Sequence, residues 1–240
     1  MAEPGVVTRA LLAIARDDPD TADLAVLAGR ICRACVDGLG VDGAAISLLT
    51  ASSARETLHA TDPTADLLED LQFSLGEGAC IEAATTGRPV LVPDLAHAAD
   101  AARWPMFAAA VAEHTDVRAV FALPLQWGTT NLGVLDMHRA APGSLDGPRL
   151  RDAVAATGTA TLMMLGLRTD PGDGRWLDGS VSGRAVIHQA TGMIVAQLGV
   201  SMTDAFARLR AYAFTQERPL GDVAQDVVSR RLRFTDQDPG

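Results

Sequence analysis

The chain has 240 residues, 48 % of them hydrophobic, which is enough apolar material for a packed core and more length than one small domain needs. A net charge of −10 argues against a general nucleic-acid coat or a basic membrane-surface binder, and 4 % aromatic content means a core built on Ala, Leu, Val and Met. All 20 basic residues are arginine, so chemistry that requires a P-loop lysine or a Schiff-base lysine is excluded.

Periodicity predicts helices over 6–16 and 21–38, the second capped by Thr21 and ended by Gly38 and Gly40. Two strands follow, 43–50 and 55–60, then a short helix over 64–72. Residues 73–88 read as a glycine-bearing loop entering a helix at 80–86, followed by a short strand at 89–93. A helix over 101–113, strands over 117–127 and 131–139, and a long helix over 145–167 complete this region. Hairpins on either side of helical inserts predict an α/β sensor domain, an antiparallel sheet with packed helices, over residues 1–168.

Residues 169–180, rich in Gly and acidic side chains, read as a linker. Beyond it the pattern predicts a three-helix all-α domain over 181–235, with helices at 182–198, from a Ser201 cap to about 216, and at 220–231. Residues 235–240 should fray.

Charge is distributed unevenly along the chain. Residues 1–167 carry 21 acids and 11 arginines, whereas residues 179–235 carry 7 arginines and 4 acids, so a polyanionic partner should meet the C-terminal part. Cys32, Cys35 and Cys80 make no disulfide framework, the five histidines have no ligand spacing, and no metal site is expected. No leader or membrane-length apolar run is apparent, and the expected location is the cytoplasm.

The run from Gln189 to Val228 contains Ala190-Thr191-Gly192, Leu198-Gly199, Ser201, Ala205-Phe206, Leu209-Arg210, Tyr212-Ala213, Arg218, Leu220 and Asp222-Val223-Ala224. It resembles the ANTAR family, the RNA-binding module of bacterial transcription antitermination regulators. The resemblance implies binding to terminator hairpin loops in nascent mRNA, usually by a homodimer. Arg208, Arg210, Arg218, Arg230 and Arg231 are then candidates for phosphate and base contacts, and Tyr212 is either a stacking platform or a packed helix residue. Where that family commonly has lysine, this chain has Thr191, which removes a charge near the expected RNA face.

Residues 21–167 resemble a GAF domain through Gly76-Glu77-Gly78-Ala79-Cys80, Thr86-Gly87-Arg88-Pro89-Val90, Pro93-Asp94-Leu95, Pro124-Leu125 and Leu132-Gly133-Val134-Leu135. The resemblance implies a small-molecule sensor or dimerisation fold and leaves ligand and cofactor open. Gly76 and Gly78 either present backbone N–H groups to a ligand or form a plain turn. Cys80 is either a thiol of lowered pKa or a small buried residue. The expected function is a signal-responsive antitermination regulator rather than an enzyme. Two alternatives stand beside it: a protein-interaction regulator with a degenerate RNA module, motivated by Thr191, and a GAF-type reductase using Cys80.

Overall fold

Strand β5 (Thr130–Arg139) lies between β1 (Gly43–Leu49) and β4 (Ala119–Trp127), with β2 (Arg55–Ala60) and β3 (Val90–Val92) at the edges. Every pairing in the order β2-β1-β5-β4-β3 is antiparallel. The computed structural model describes residues 3–17, 23–49, 55–168 and 184–235, which fall into two units, taken separately below.

In the first unit both faces of the sheet are covered, so its strands read as apolar runs, and alternation sorts their side chains into two layers. Ile46, Phe121, Leu135 and Met137 meet α1 (Val6–Asp17), α2 (Leu24–Leu39) and α7 (Gly147–Arg168). Val120, Ala122 and Val134 face α3 (Pro63–Leu75), α4 (Ala79–Thr86) and α6 (Pro105–His114). Ser47 and Asp136 share this second face by the same alternation, which puts polar groups in the middle of it.

Helix ends follow local chemistry. The cap of α2 is Asp23, not Thr21, which lies outside the described residues; Asp23 Oδ1 accepts from the Ala25 and Val26 N–H groups at 2.8 and 3.3 Å. Asp62 caps α3 in the same way, with Pro63 at its first position. The helix expected over 101–113 is instead α5 (Ala98–Ala101) and α6, because Pro105 cannot continue a helix but starts one well. Helix α1 borrows its cap from α7: Asp152 Oδ2 accepts from Val7 N–H at 2.8 Å and Oδ1 from Thr8 N–H at 3.1 Å.

The second unit is α8 (Arg184–Leu198), α9 (Met202–Thr215) and α10 (Leu220–Val228). Ile187, Ala190 and Ile194 pack with Ala205, Leu209, Val223, Ala224 and Val227, all buried. Ser201 caps α9, accepting from Asp204 N–H at 3.1 Å while its hydroxyl donates to the Asp204 carboxylate at 2.7 Å. Helix α10 stops at Val228, three residues before the expected Arg231. Arg230 adopts φ 60, and the Arg231 N–H turns back to the Asp226 carbonyl at 2.8 Å. Past this turn Phe234 is buried, and its N–H donates to Gln197 Oε1 at 2.9 Å. The expected linker at 169–180 lies outside the described residues, as does all but Thr235 of the tail expected to fray over 235–240. Among the described residues no helix is long and apolar enough to cross a membrane.

Candidate RNA-binding face and buried sensor cluster

Phe206, Arg210 and Phe214 recur every four residues along α9 and so form one column on one helix face. The Arg210 guanidinium lies 4.9 Å from the centre of the Phe206 ring, and Phe214 is 64 % exposed. A planar cation between two aromatic positions is a surface on which unstacked bases can stack. Of these three, the sequence points to Arg210 as a contact residue and carries Phe206 only as part of the family motif. The spacing of four was visible; the exposure was not.

The other candidate residues divide by their partners. Tyr212 is half-buried and its ring meets Phe234 edge-on, with centroids 5.4 Å apart, which supports the packed-residue reading over the stacking platform. Arg218 and Arg231 are exposed, but both are ion-paired to Asp226, at 2.8 and 2.7 Å. Arg208 and Arg230 have no side-chain hydrogen-bond or ion-pair partner among the described residues, and the φ 60 turn displays Arg230 on the surface.

Thr191 corrects an expectation. It is only 4 % exposed, and its hydroxyl donates to the Ile187 carbonyl at 2.7 Å. A side chain so placed does not face an RNA, and its lack of charge suits its burial.

In the first unit the glycine loop serves the backbone. Gly76 (φ 68) closes α3, its N–H donating to the Gln72 carbonyl at 3.0 Å. Gly78 has φ 122, and a Cβ there would meet Gln72 Oε1 at 2.6 Å. Gln72 Oε1 in turn accepts from the Cys80 N–H at 2.8 Å, capping α4. The Gly76 and Cys80 N–H groups are therefore engaged within the protein, which supports the plain-turn reading at Gly76.

Gln72 also borders a buried polar cluster. Ser47 Oγ donates to Glu69 Oε2, Thr57 Oγ1 reaches the same oxygen at 3.3 Å, and Arg55 Nη1 contacts Cys80 Sγ. Burial, reinforced by the nearby Asp136, pushes the Cys80 thiol well above its ordinary value, opposite to the lowered pKa considered for it. Burial and the adjoining Glu69 carboxyl likewise push Asp136 up. Cys32 and Cys35 lie in the core on the other face of the sheet, where burial pushes Cys35 up to about 12. Beside the cluster is a small cavity of about 20 Å³, room for a water-sized group, lined by Glu69, Gln72, Asp136 and His138 with apolar walls that include Leu68, Phe107 and Val120.

The GAF domain family model matches residues 21–165, more than half of the chain. The chain belongs to the GAF family. An ANTAR domain follows at 177–228, so this is a GAF domain joined to an ANTAR domain. Such an architecture is that of a sensor-regulated, RNA-binding antitermination regulator in general, and of a regulator rather than an enzyme. No curated protein matches the chain by sequence.

Among solved structures, the GAF domain of a phosphoenolpyruvate-protein phosphotransferase from Coxiella burnetii is similar at 12 % identity and TM-score 0.52, over 68 % of this chain and 95 % of that one. A free methionine-R-sulfoxide reductase from Neisseria meningitidis is similar at 16 % identity and TM-score 0.51, over 68 % of this chain and 90 % of that one. At these identities the likeness shows the GAF fold alone. The raised Cys80 thiol gives no support to a reductase nucleophile here.

Proposed function

We propose that this GAF–ANTAR chain is a cytoplasmic, signal-responsive regulator that binds terminator hairpin loops in nascent mRNA through α9 and acts as a homodimer. The observation that carries the reading is the Phe206–Arg210–Phe214 column, a stacking surface with a cation built into it. Arg230 adds phosphate-binding charge, Arg208 offers it from a different face of α9 than Arg210, and Arg218 and Arg231 become available when Asp226 releases them. The excess of arginine over acid in residues 179–235 concentrates this attraction on the ANTAR end of an acidic chain.

The signal is a ligand of very few atoms, or one that widens the small cavity beside Glu69, Asp136 and His138 as it enters. Dimerisation uses α7, where Val154 (47 % exposed), Gly158 and Leu162 (54 % exposed) form an outward stripe at spacing four. The degenerate-module alternative loses its motive once Thr191 is buried.

Fluorescence anisotropy of the full-length protein with an RNA carrying two hairpin loops tests the reading. Binding should weaken steadily with salt, and Phe214→Ala should cost about 1–3 kcal/mol for a lost stacking contact. Equal affinity for a loopless duplex, or indifference to both Phe214→Ala and Arg210→Ala, would sink it.

A further inference from the structure

In the GAF unit, three charge-bearing side chains from three different elements converge in the buried polar cluster between the sheet and α3 and α4. Glu69 comes from α3, Cys80 from the first turn of α4 and Asp136 from β5, and one ligand atom of each lies within 4.8 Å of the others. We propose that Glu69, Cys80 and Asp136 bind one divalent transition-metal ion whose remaining coordination position opens on the adjoining cavity. The site is separate from the ANTAR surface and does not rest on the RNA reading.

Four observations support it. First, the spacing is close to what a metal needs. Ligands at ordinary metal–sulfur and metal–oxygen distances sit about 3.6 Å from one another in a tetrahedral site, so small side-chain adjustments close the set. Second, polar capacity is unspent at this place. Asp136 Oδ2 and Arg55 Nη2 are buried without a hydrogen-bond partner, and Arg55 is only 5 % exposed while its other terminal nitrogen touches Cys80 Sγ. Metal ligation employs the carboxylate oxygen, and a metal-bound water or anion accepts from the guanidinium.

Third, the charges balance in the loaded site. Binding the ion displaces the Cys80 thiol proton to solvent, and two carboxylates and a thiolate facing one guanidinium then leave two negative charges, the charge of one divalent ion. Fourth, the surrounding shell is ordered. Ser47 and Thr57 hold the Glu69 carboxylate, and Arg55 supports the sulfur, as the outer partners of metal ligands do.

The donor set selects the metal class. One sulfur with two carboxylates suits zinc, iron(II) or cobalt(II), whereas magnesium and calcium prefer oxygen alone. Glu69 and Asp136 line the cavity, so an exchangeable ligand there could approach the ion directly. Such a metal would give the GAF domain a point of contact for a small coordinating molecule.

The test is titration of the chelator-dialysed full-length protein with Co²⁺. One equivalent should bind and produce a thiolate-to-cobalt charge-transfer band in the near ultraviolet, which Zn²⁺ then abolishes by displacement. Cys80→Ser should remove the band, and Glu69→Gln and Asp136→Asn should each weaken binding by more than about tenfold. A Cys32→Ser/Cys35→Ser double variant should keep the band, which assigns it to Cys80 even if Cys80→Ser fails to fold. Absence of a band in the unaltered protein overturns the proposal. So does a band that survives folded Cys80→Ser or disappears in the folded double variant, or an affinity unchanged in folded Asp136→Asn.

Discussion

Arg218 Nη2 donates to Asp226 Oδ2 at 2.8 Å, tying the turn after α9 to the side of α10. Arg231 reaches the other oxygen of the same carboxylate through Nε at 2.8 Å, so one aspartate holds two of the arginines that an RNA would attract. Exchange of these partners is part of the cost of binding. Asp226→Asn should therefore raise RNA affinity and steepen its salt dependence by about 0.7 in logarithmic slope for each further phosphate neutralised. Affinities measured across a range of potassium chloride concentrations check this, and a loss of affinity would contradict it.

The same carboxylate titrates abnormally. Hydrogen bonding from Arg218, then from Arg231, holds Asp226 below the usual aspartate range. Because its folded pKa is depressed, its stabilising contribution is present above the unfolded pKa and disappears as pH falls through the folded value. Carboxyl carbon NMR of the full-length protein should show Asp226 titrating below ordinary aspartates, and moving back toward them in Arg218→Ala.

Asp152 holds two ends of the GAF unit together. It accepts from the Val7 and Thr8 N–H groups and from the Thr8 hydroxyl, the last at 2.7 Å. Asp152→Ala leaves the first turn of α1 without this partner and should cost about 1–3 kcal/mol. Denaturant unfolding followed by circular dichroism measures the loss.

Gly78→Ala places a methyl group against Gln72 at a backbone conformation, φ 122, that side chains rarely adopt. Backbone strain of about 1–3 kcal/mol is expected, with loosening of the α3–α4 junction beside the cavity. Hydrogen exchange should increase at Cys80, whose N–H is held by Gln72. An unchanged exchange rate and melting temperature would contradict the packing described.

Tyr212→Ala should destabilise the ANTAR unit by about 1–3 kcal/mol, as for loss of a half-buried aromatic with one edge-on ring partner, whereas Tyr212→Phe should keep both fold and RNA affinity. Thermal unfolding and anisotropy on the same two variants separate packing from stacking. A loss of RNA affinity in well-folded Tyr212→Phe would restore the hydroxyl to the binding face.

The strands and most helices were legible because each carries its own period: β1, β4 and β5 are apolar runs bounded by turn residues, and α9 begins at a self-contained Ser201–Asp204 cap. The break before Pro105 was also written locally, yet alanine-rich flanks on both sides read as one helix. Relations across the fold left no local signal. Nothing near Arg55, Glu69, Cys80 or Asp136 in sequence says that they meet, and nothing near Arg218 says that Asp226 neutralises it. The α9 column lay between: its spacing was readable, while the outward turn of Phe214 depended on what the other helices cover.

The seating of Phe234 sets a boundary that kinship does not. The ANTAR match ends at Val228, but the chain continues through a reversal and delivers Phe234 against Tyr212 and Gln197. A fragment cut where the family pattern stops would retain all three helices and lose the plug that closes them. Homology here delimits the inherited part, whereas packing delimits the part that can stand.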